Sequence, residues 1–206
     1  MEPSYNTKIL NMEEISCLKN IPLKIKKIST LGNETLLSEK KILFSGSRSC
    51  SNRSLEITSS IINRLEKDTV IVSGFAIGID RKAIYHALDI GLKVIIFLPY
   101  GISEFISHHS KFLKTYKENN FLIISQFPEF AKWSVSHAFE RSRLSVVCSD
   151  YVIIPEGKEN GGTFFTGKYA IELNKPTFVS TNFAVVPNGN KNLINLGAKN
   201  IEDFLK

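Results

Sequence analysis

From Ile42 onward the chain is punctuated by short, continuously apolar runs: Ile42–Phe44, Val70–Val72, Val94–Leu98, Phe121–Ile124, Tyr151–Ile154 and Thr177–Val179. They recur roughly every 25–30 residues, the length of a strand–helix unit that returns by a parallel crossover. A strand with one wet face alternates apolar and polar residues, whereas a run without alternation is buried on both faces. The pattern predicts an open α/β, doubly wound, mostly parallel sheet with helices on both faces. Between the runs lie helix signals. Ser51 or Asn52 caps a segment Arg53–Glu66, Ile79–Ile90 stops at Gly91, and Thr163 caps Phe164–Leu173. Residues 1–40, interrupted by Pro3, Pro22 and Gly32, are expected to form an N-terminal extension packed on a core domain of residues 41–206. That extension would hold a short helix near Met12–Lys19 and an extended stretch.

Composition excludes several classes. Hydrophobic residues are 43% and charged residues 22% of 206, which suits one soluble globular domain and not a disordered chain, a collagen-like repeat or a disulfide-dense miniature. Lys and Arg number 26 against 20 Asp and Glu, a net charge of +6 that permits phosphate or nucleic-acid partners. No segment is a basic arm, so any cationic surface must be gathered by folding. Cys17, Cys50 and Cys148 are odd in number and lack metal-ligand spacing; they read as free thiols of a reducing compartment. The start MEPSYNTKIL is not a signal peptide, and the longest apolar run is far too short to span a bilayer. A cytoplasmic protein without membrane contact is expected.

In doubly wound folds a ligand sits outside the carboxyl ends of the strands. Three glycine-containing turns fall there. The first is Ser45-Gly46-Ser47-Arg48, in which Gly46 allows close backbone approach, the amides that follow lie near a helix N-terminus and Arg48 can clamp phosphate oxygens. The second is Ser73-Gly74-Phe75-Ala76-Ile77-Gly78-Ile79-Asp80, a second anion-facing loop whose Asp80 reads as a helix cap or an internal hydrogen-bond partner. Its glycine spacing is not G-x-G-x-x-G and no GK[ST] follows, so dinucleotide and P-loop readings drop out. The third is Asn160-Gly161-Gly162-Thr163-Phe164-Phe165-Thr166, which offers backbone donors and two hydroxyls. Between the second and third turns, Arg141 and Arg143 stand about 200° apart on a helix, so one can face the crevice while the other pairs elsewhere.

No catalytic set emerges. His86, His108, His109 and His137 have neither a nucleophile elbow nor a metal pattern beside them, and no cofactor is implied. Cys148 lies in an apolar stretch and reads as core. Phe130 and Trp133 sit in a polar loop, where base stacking and packing are both open.

Taken in order, these motifs resemble the DNA-processing protein A (DprA/Smf) family, whose pattern runs G-[ST]-R, S-G-x-A-x-G-I-D, S-E-x-P, R-N-R-x-I-x-G-L-S, S-G-[ST]-x-x-T-A and a glycine-rich loop before L-I-x-x-G-A. Here the six read Gly46-Ser47-Arg48, Ser73 to Asp80, Ser125-Gln126-Phe127-Pro128, Arg141 to Ser149, Gly161 to Thr166 and Gly189 to Ala198. The departures are Ser142 for the Asn of R-N-R, Ser-Val-Val-Cys-Ser for I-x-G-L-S, Ile84 where the family has His, Gln126 for Glu, and Ile106 to Ser110 in place of Y-P-x-x-N. The chain resembles a divergent member reduced to the core of that family.

The resemblance implies an extended Rossmann-like fold that binds single-stranded DNA in a basic pocket, protects strands during natural transformation and recombination, helps load a RecA-type recombinase, forms a homodimer and is not an enzyme. Carried over, the DNA or phosphate site is Gly46, Ser47, Arg48, Ser73, Gly74, Phe75, Arg141, Arg143, Gly161, Gly162, Thr163 and Thr166, with Lys111 and Lys114 as weaker candidates. The alternative is a nucleotide sensor or a nucleoside-monophosphate phosphoribohydrolase-like protein on a related fold, because Gly161-Gly162-Thr163 partly echoes a G-G-x-G-T loop. Phe164-Phe165-Thr166 stands where that enzyme's acidic residue would follow.

Overall fold

The apolar runs all become strands in the structure, a computed structural model that describes residues 5–11, 13, 15, 17, 25 and 27–205. In chain order the strands are β1 (Lys8–Asn11), β2 (Lys27–Gly32), β3 (Lys41–Phe44), β4 (Val70–Ser73), β5 (Lys93–Leu98), β6 (Phe121–Ser125), β7 (Tyr151–Ile154), β8 (Thr177–Val179) and β9 (Lys199–Asn200). The helices are α1 (Asn52–Ile62), α2 (Ile79–Asp89), α3 (Ile102–His108), α4 (Ser110–Thr115), α5 (Val135–Val147), α6 (Gly162–Glu172), α7 (Asn188–Asn195) and α8 (Ile201–Phe204). The strands form one sheet in the order β1-β2-β6-β5-β4-β3-β7-β8-β9. From β6 to β9 every pairing is parallel; β1 with β2 and β2 with β6 are antiparallel.

Two cores, one on each face, explain why the runs do not alternate. In β5, Val94, Ile96 and Leu98 pack on one side with α1, α2, α3 and α4, while Ile95 and Phe97 pack on the other with α5, α6 and α7. Period-two geometry sends neighbouring side chains to opposite faces, so a strand covered on both sides must be apolar throughout. The doubly wound, Rossmann-like arrangement with helices on both faces is therefore present.

Local signals place the helix ends with mixed success. Ser51 caps α1, its hydroxyl oxygen accepting from the Ser54 amide, but α1 stops at Ile62, with tight turns carrying Arg64 and Leu65. Gly91 follows α2 with φ 86°, as a C′ glycine does. Thr163 is not the cap of α6: Gly161 holds that position without a side-chain bond, and Thr163 falls in the first turn. In the N-terminal segment, β1 and β2 extend the sheet at its β6 edge. The helix expected near Met12–Lys19 falls largely outside the described residues.

The expectation of three free thiols is corrected. Cys17 and Cys148 pair as a disulfide across 131 residues of sequence, with Cα atoms 4.9 Å apart, and Cys50 alone is free. Ile15 joins the same core cluster as Val147 and Cys148, which brings the N-terminal segment against the end of α5. Sequence spacing carries no trace of that approach. Among the described residues no helix is long and apolar enough to cross a membrane.

Candidate functional site

Strand order reverses beside β3. The chain runs from β3 outward through β4 and β5 to β6, then crosses back to β7 on the other side of β3. Helices leave the two strands in opposite directions, and a crevice remains outside their carboxyl ends. A cleft of about 450 Å³ opens there. Its walls are the turn after β3 (Ser45 to Ser49), the start of α6 (Gly161, Gly162, Thr163 and Thr166), Lys158, Trp133, the α5 residues Val135, Ala138, Phe139, Arg141 and Ser142, and Ala76 and Asp80 from the β4–α2 connection.

In the first turn the amides are mostly spoken for. Ser45 donates to the Ile153 carbonyl at 3.1 Å, Ser47 to the Glu156 carbonyl at 2.9 Å, and Gly46 to the Asp80 carboxylate at 3.3 Å. Gly46 reads in the sequence as room for a ligand; it is room for Ile79, whose side chain a Cβ at 46 would overlap. What this turn presents to the cleft is Arg48, exposed, with its guanidinium carbon 5.5 Å from the centroid of the Trp133 ring.

The second turn is split: Ala76 and Asp80 reach the cleft wall, whereas Ser73, Gly74 and Phe75 lie behind it. Ser73 is buried and donates its hydroxyl hydrogen to the Phe44 carbonyl at 2.7 Å. Phe75 adopts φ 58°, a left-handed conformation that turns its ring away into a cluster with Tyr85, Phe105, His109 and Phe112. The turn is anion-facing, but the anion is the protein's own: the Gly46 amide donates to the Asp80 carboxylate at 3.3 Å, and the amides of Gly74 and Ala76 also favour its charged form. Asp80 is an internal partner, not a cap, since Gly78 holds the N-cap of α2. Burial pushes its pKa up, and Arg141 together with those three amides pulls it back.

Arg141 is 8% exposed and its guanidinium lies over Gly74. Burial lowers its pKa, Asp80 opposes that, and Arg48 adds to the lowering. Among the described residues its Nε is buried without a hydrogen-bond partner. Arg143, two residues on, is on another side of α5, with its guanidinium carbon 5.7 Å from the Tyr169 centroid, and does not line the cleft. Lys111 and Lys114 are exposed on α4 and do not line it either.

The third turn is held from below by Asn190, which is fully buried. Its Nδ2 donates to the carbonyls of Pro155 (3.0 Å) and Ser180 (2.8 Å), and its Oδ1 accepts from the Gly157 amide at 2.7 Å. This clamp sets the path from β7 to α6. Because no side chain caps α6, the amides of its first turn remain as donors at the positive end of the helix dipole, on the wall of the cleft. Such an end attracts anions. Arg48, Arg141 and Lys158 against Asp80 give the cleft three cations and one carboxylate.

Eight of the twelve principal candidates therefore meet in one place: Gly46, Ser47, Arg48, Arg141, Gly161, Gly162, Thr163 and Thr166. Ser73, Gly74, Phe75 and Arg143 do not line it. Also on the cleft wall, but not among the residues the sequence points to, are Ser49, Lys158, Val135, Ala138, Phe139 and Ser142. The last four share the i, i+3, i+4, i+7 spacing of one helix face, a signal present in the sequence itself.

Residues 5–206 match the sequence profile of the family described as DNA recombination-mediator protein A. DNA processing protein DprA of Streptococcus pneumoniae is 32% identical over 170 residues, which cover 82% of this chain and 60% of that relative. DNA processing protein DprA of Bacillus subtilis is 29% identical over 176 residues, covering 82% and 59%. The chain thus spans about three fifths of the length of these two relatives. The X-ray structure of the Streptococcus pneumoniae protein superposes with TM-score 0.86 at 28% identity, over 98% of this chain and 73% of that one. DNA processing protein A from Helicobacter pylori, whose structure concerns its single-stranded DNA binding mode, gives TM-score 0.81 at 27% identity, over 98% and 94%.

Proposed function

The chain belongs to the DNA recombination-mediator protein A family, and from that premise we propose that it binds single-stranded DNA in the cleft beside β3 and β7. The observation that carries this reading is the meeting of an uncapped helix N-terminus with Arg48 and the buried Arg141 in one cleft. Those groups recognise a phosphodiester by charge and hydrogen bonding, without regard to sequence. The exposed part of the Trp133 ring offers a surface on which an unpaired base can stack.

Binding rather than turnover fits the cleft. Its one carboxylate, Asp80, is buried and accepts from the Gly46 amide, which removes it as a proton carrier at the surface. In the proposed role the protein covers single strands during DNA uptake and recombination, hands them to a RecA-type recombinase and works as a homodimer. The named relatives favour this role over a nucleotide sensor or phosphoribohydrolase.

Fluorescence anisotropy with labelled oligo-dT and duplex of equal length, at two salt concentrations, tests the reading. The single strand is expected to bind more tightly, with affinity falling as salt rises. Arg48→Ala should weaken binding about tenfold on every sequence and reduce the salt slope by about 0.7. Equal affinity for single strand and duplex at low salt overturns the proposal. Stabilisation by mononucleotides but not by oligo-dT would transfer the cleft to the nucleotide-sensor reading.

A further inference from the structure

A groove of about 360 Å³ lies between α5 and α6, next to the cleft. Phe139, Ser142 and Thr166 line both, so the two are continuous along α5. At the junction Phe139 and Phe165 stand edge to face with centroids 5.6 Å apart, and they remain 39% and 43% exposed. Further along, the Arg143 guanidinium lies over the Tyr169 ring. The charged groups of the groove are Arg143, Lys168 and Glu172, of which the last two pair at 3.8 Å, leaving Arg143 as the surplus cation.

Exposed rings alternating with a cation are what a single strand requires: a π-face for each unstacked base and a positive charge for the phosphate beside it. We propose that the α5–α6 groove is a second subsite for the same strand, which leaves the β3–β7 cleft, passes the Phe139–Phe165 pair, stacks a base on Phe165 and sets a phosphate against Arg143. This rests on the cleft being a single-strand site. Continuity with the cleft and the surplus positive charge select a nucleic-acid occupant over a second copy of the chain.

The test compares oligo-dT of about four and about twenty nucleotides by anisotropy with the full chain, the shorter filling the cleft alone. Phe165→Ala is expected to weaken the longer oligomer about tenfold and leave the shorter unchanged, and Phe165→Tyr to restore the longer. Arg143→Gln should lower the salt slope by about 0.7 for the longer oligomer only. If wild type binds both lengths and neither substitution alters the longer, the groove proposal is overturned while the cleft reading stands. If wild type binds neither, both fall. A change in sedimentation of Phe165→Ala with oligomer affinities unaltered would make the groove a face between copies and also overturn it.

Discussion

The guanidinium of Arg141 lies against the Cα of Gly74, so closely that a Cβ at position 74 would occupy its place. Gly74 thus enters the site indirectly, by giving Arg141 a place to lie. Gly74→Ala is expected to displace the buried guanidinium and destabilise the fold by about 1–3 kcal/mol, the usual cost of overpacking. Urea unfolding and oligo-dT anisotropy should show both losses together. Unaltered stability and affinity would mean that the arginine relocates freely.

Arg141 and Asp80 are both buried and balance each other's charge. Asp80→Asn removes the negative charge that offsets the buried guanidinium and is expected to cost about 1–3 kcal/mol. Arg141→Met should cost less, since the Gly46 amide still holds the carboxylate, and should push the Asp80 pKa higher still. The double variant is expected to lose at least about 1 kcal/mol less than the sum. Additive losses in a double-mutant cycle would show that the two groups are independent.

Asn190 joins three backbone groups that have no other anchor in common. Removing the side chain by Asn190→Ala leaves a buried amide and two buried carbonyls without it, at an expected cost above about 2 kcal/mol. Hydrogen exchange should rise across residues 155–161, and oligo-dT affinity should fall although Asn190 itself does not line the cleft. Unaltered exchange in that segment would remove its role as a clamp.

Burial, followed by repulsion from Arg81 and His108, holds the His109 imidazole below its usual range; His86 is lowered by burial and then by Lys82. In the unfolded chain both return to about 6.5. Below that value the unfolded state binds more protons than the folded state, so stability rises with pH. The contribution is present above the unfolded pKa and is lost as pH falls through the depressed folded values. Urea midpoints measured from about pH 7.5 down to about 5 should decline, and His109→Phe should flatten the decline. An unaltered slope in that variant would assign the effect elsewhere.

The sheet was legible because a strand covered on both faces must be apolar at every position, and each such run, from Ile42–Phe44 to Thr177–Val179, becomes a strand. The turns at the strand ends were legible too, since a glycine between a strand and a helix is a local signal. The part that turned out differently concerns where their donors point. Gly46 and Gly74 look like ligand-facing glycines by sequence, and in the structure they make room for Ile79 and Arg141. Phe75 looks like a pocket wall, and its left-handed backbone sends it into the core.

Local residue pattern was sufficient for β3 to β8, for the helices α1, α2, α5 and α6 and for the presence of three turns at one edge of the sheet, because backbone hydrogen bonding and burial act within a few residues. It was not sufficient for β1, β2, β9 or the remaining helices. Which amides stay open for a ligand depends on partners far away in the chain. Asp80 takes the amide of Gly46, 34 residues before it, and Asn190 takes that of Gly157, 33 residues before it. The same holds for Cys17 and Cys148, for the separation of Arg143 from the cleft, and for the net positive charge that Arg48, Arg141 and Lys158 build there. A long-range contact depends on three-dimensional proximity, and no spacing rule within the chain encodes that.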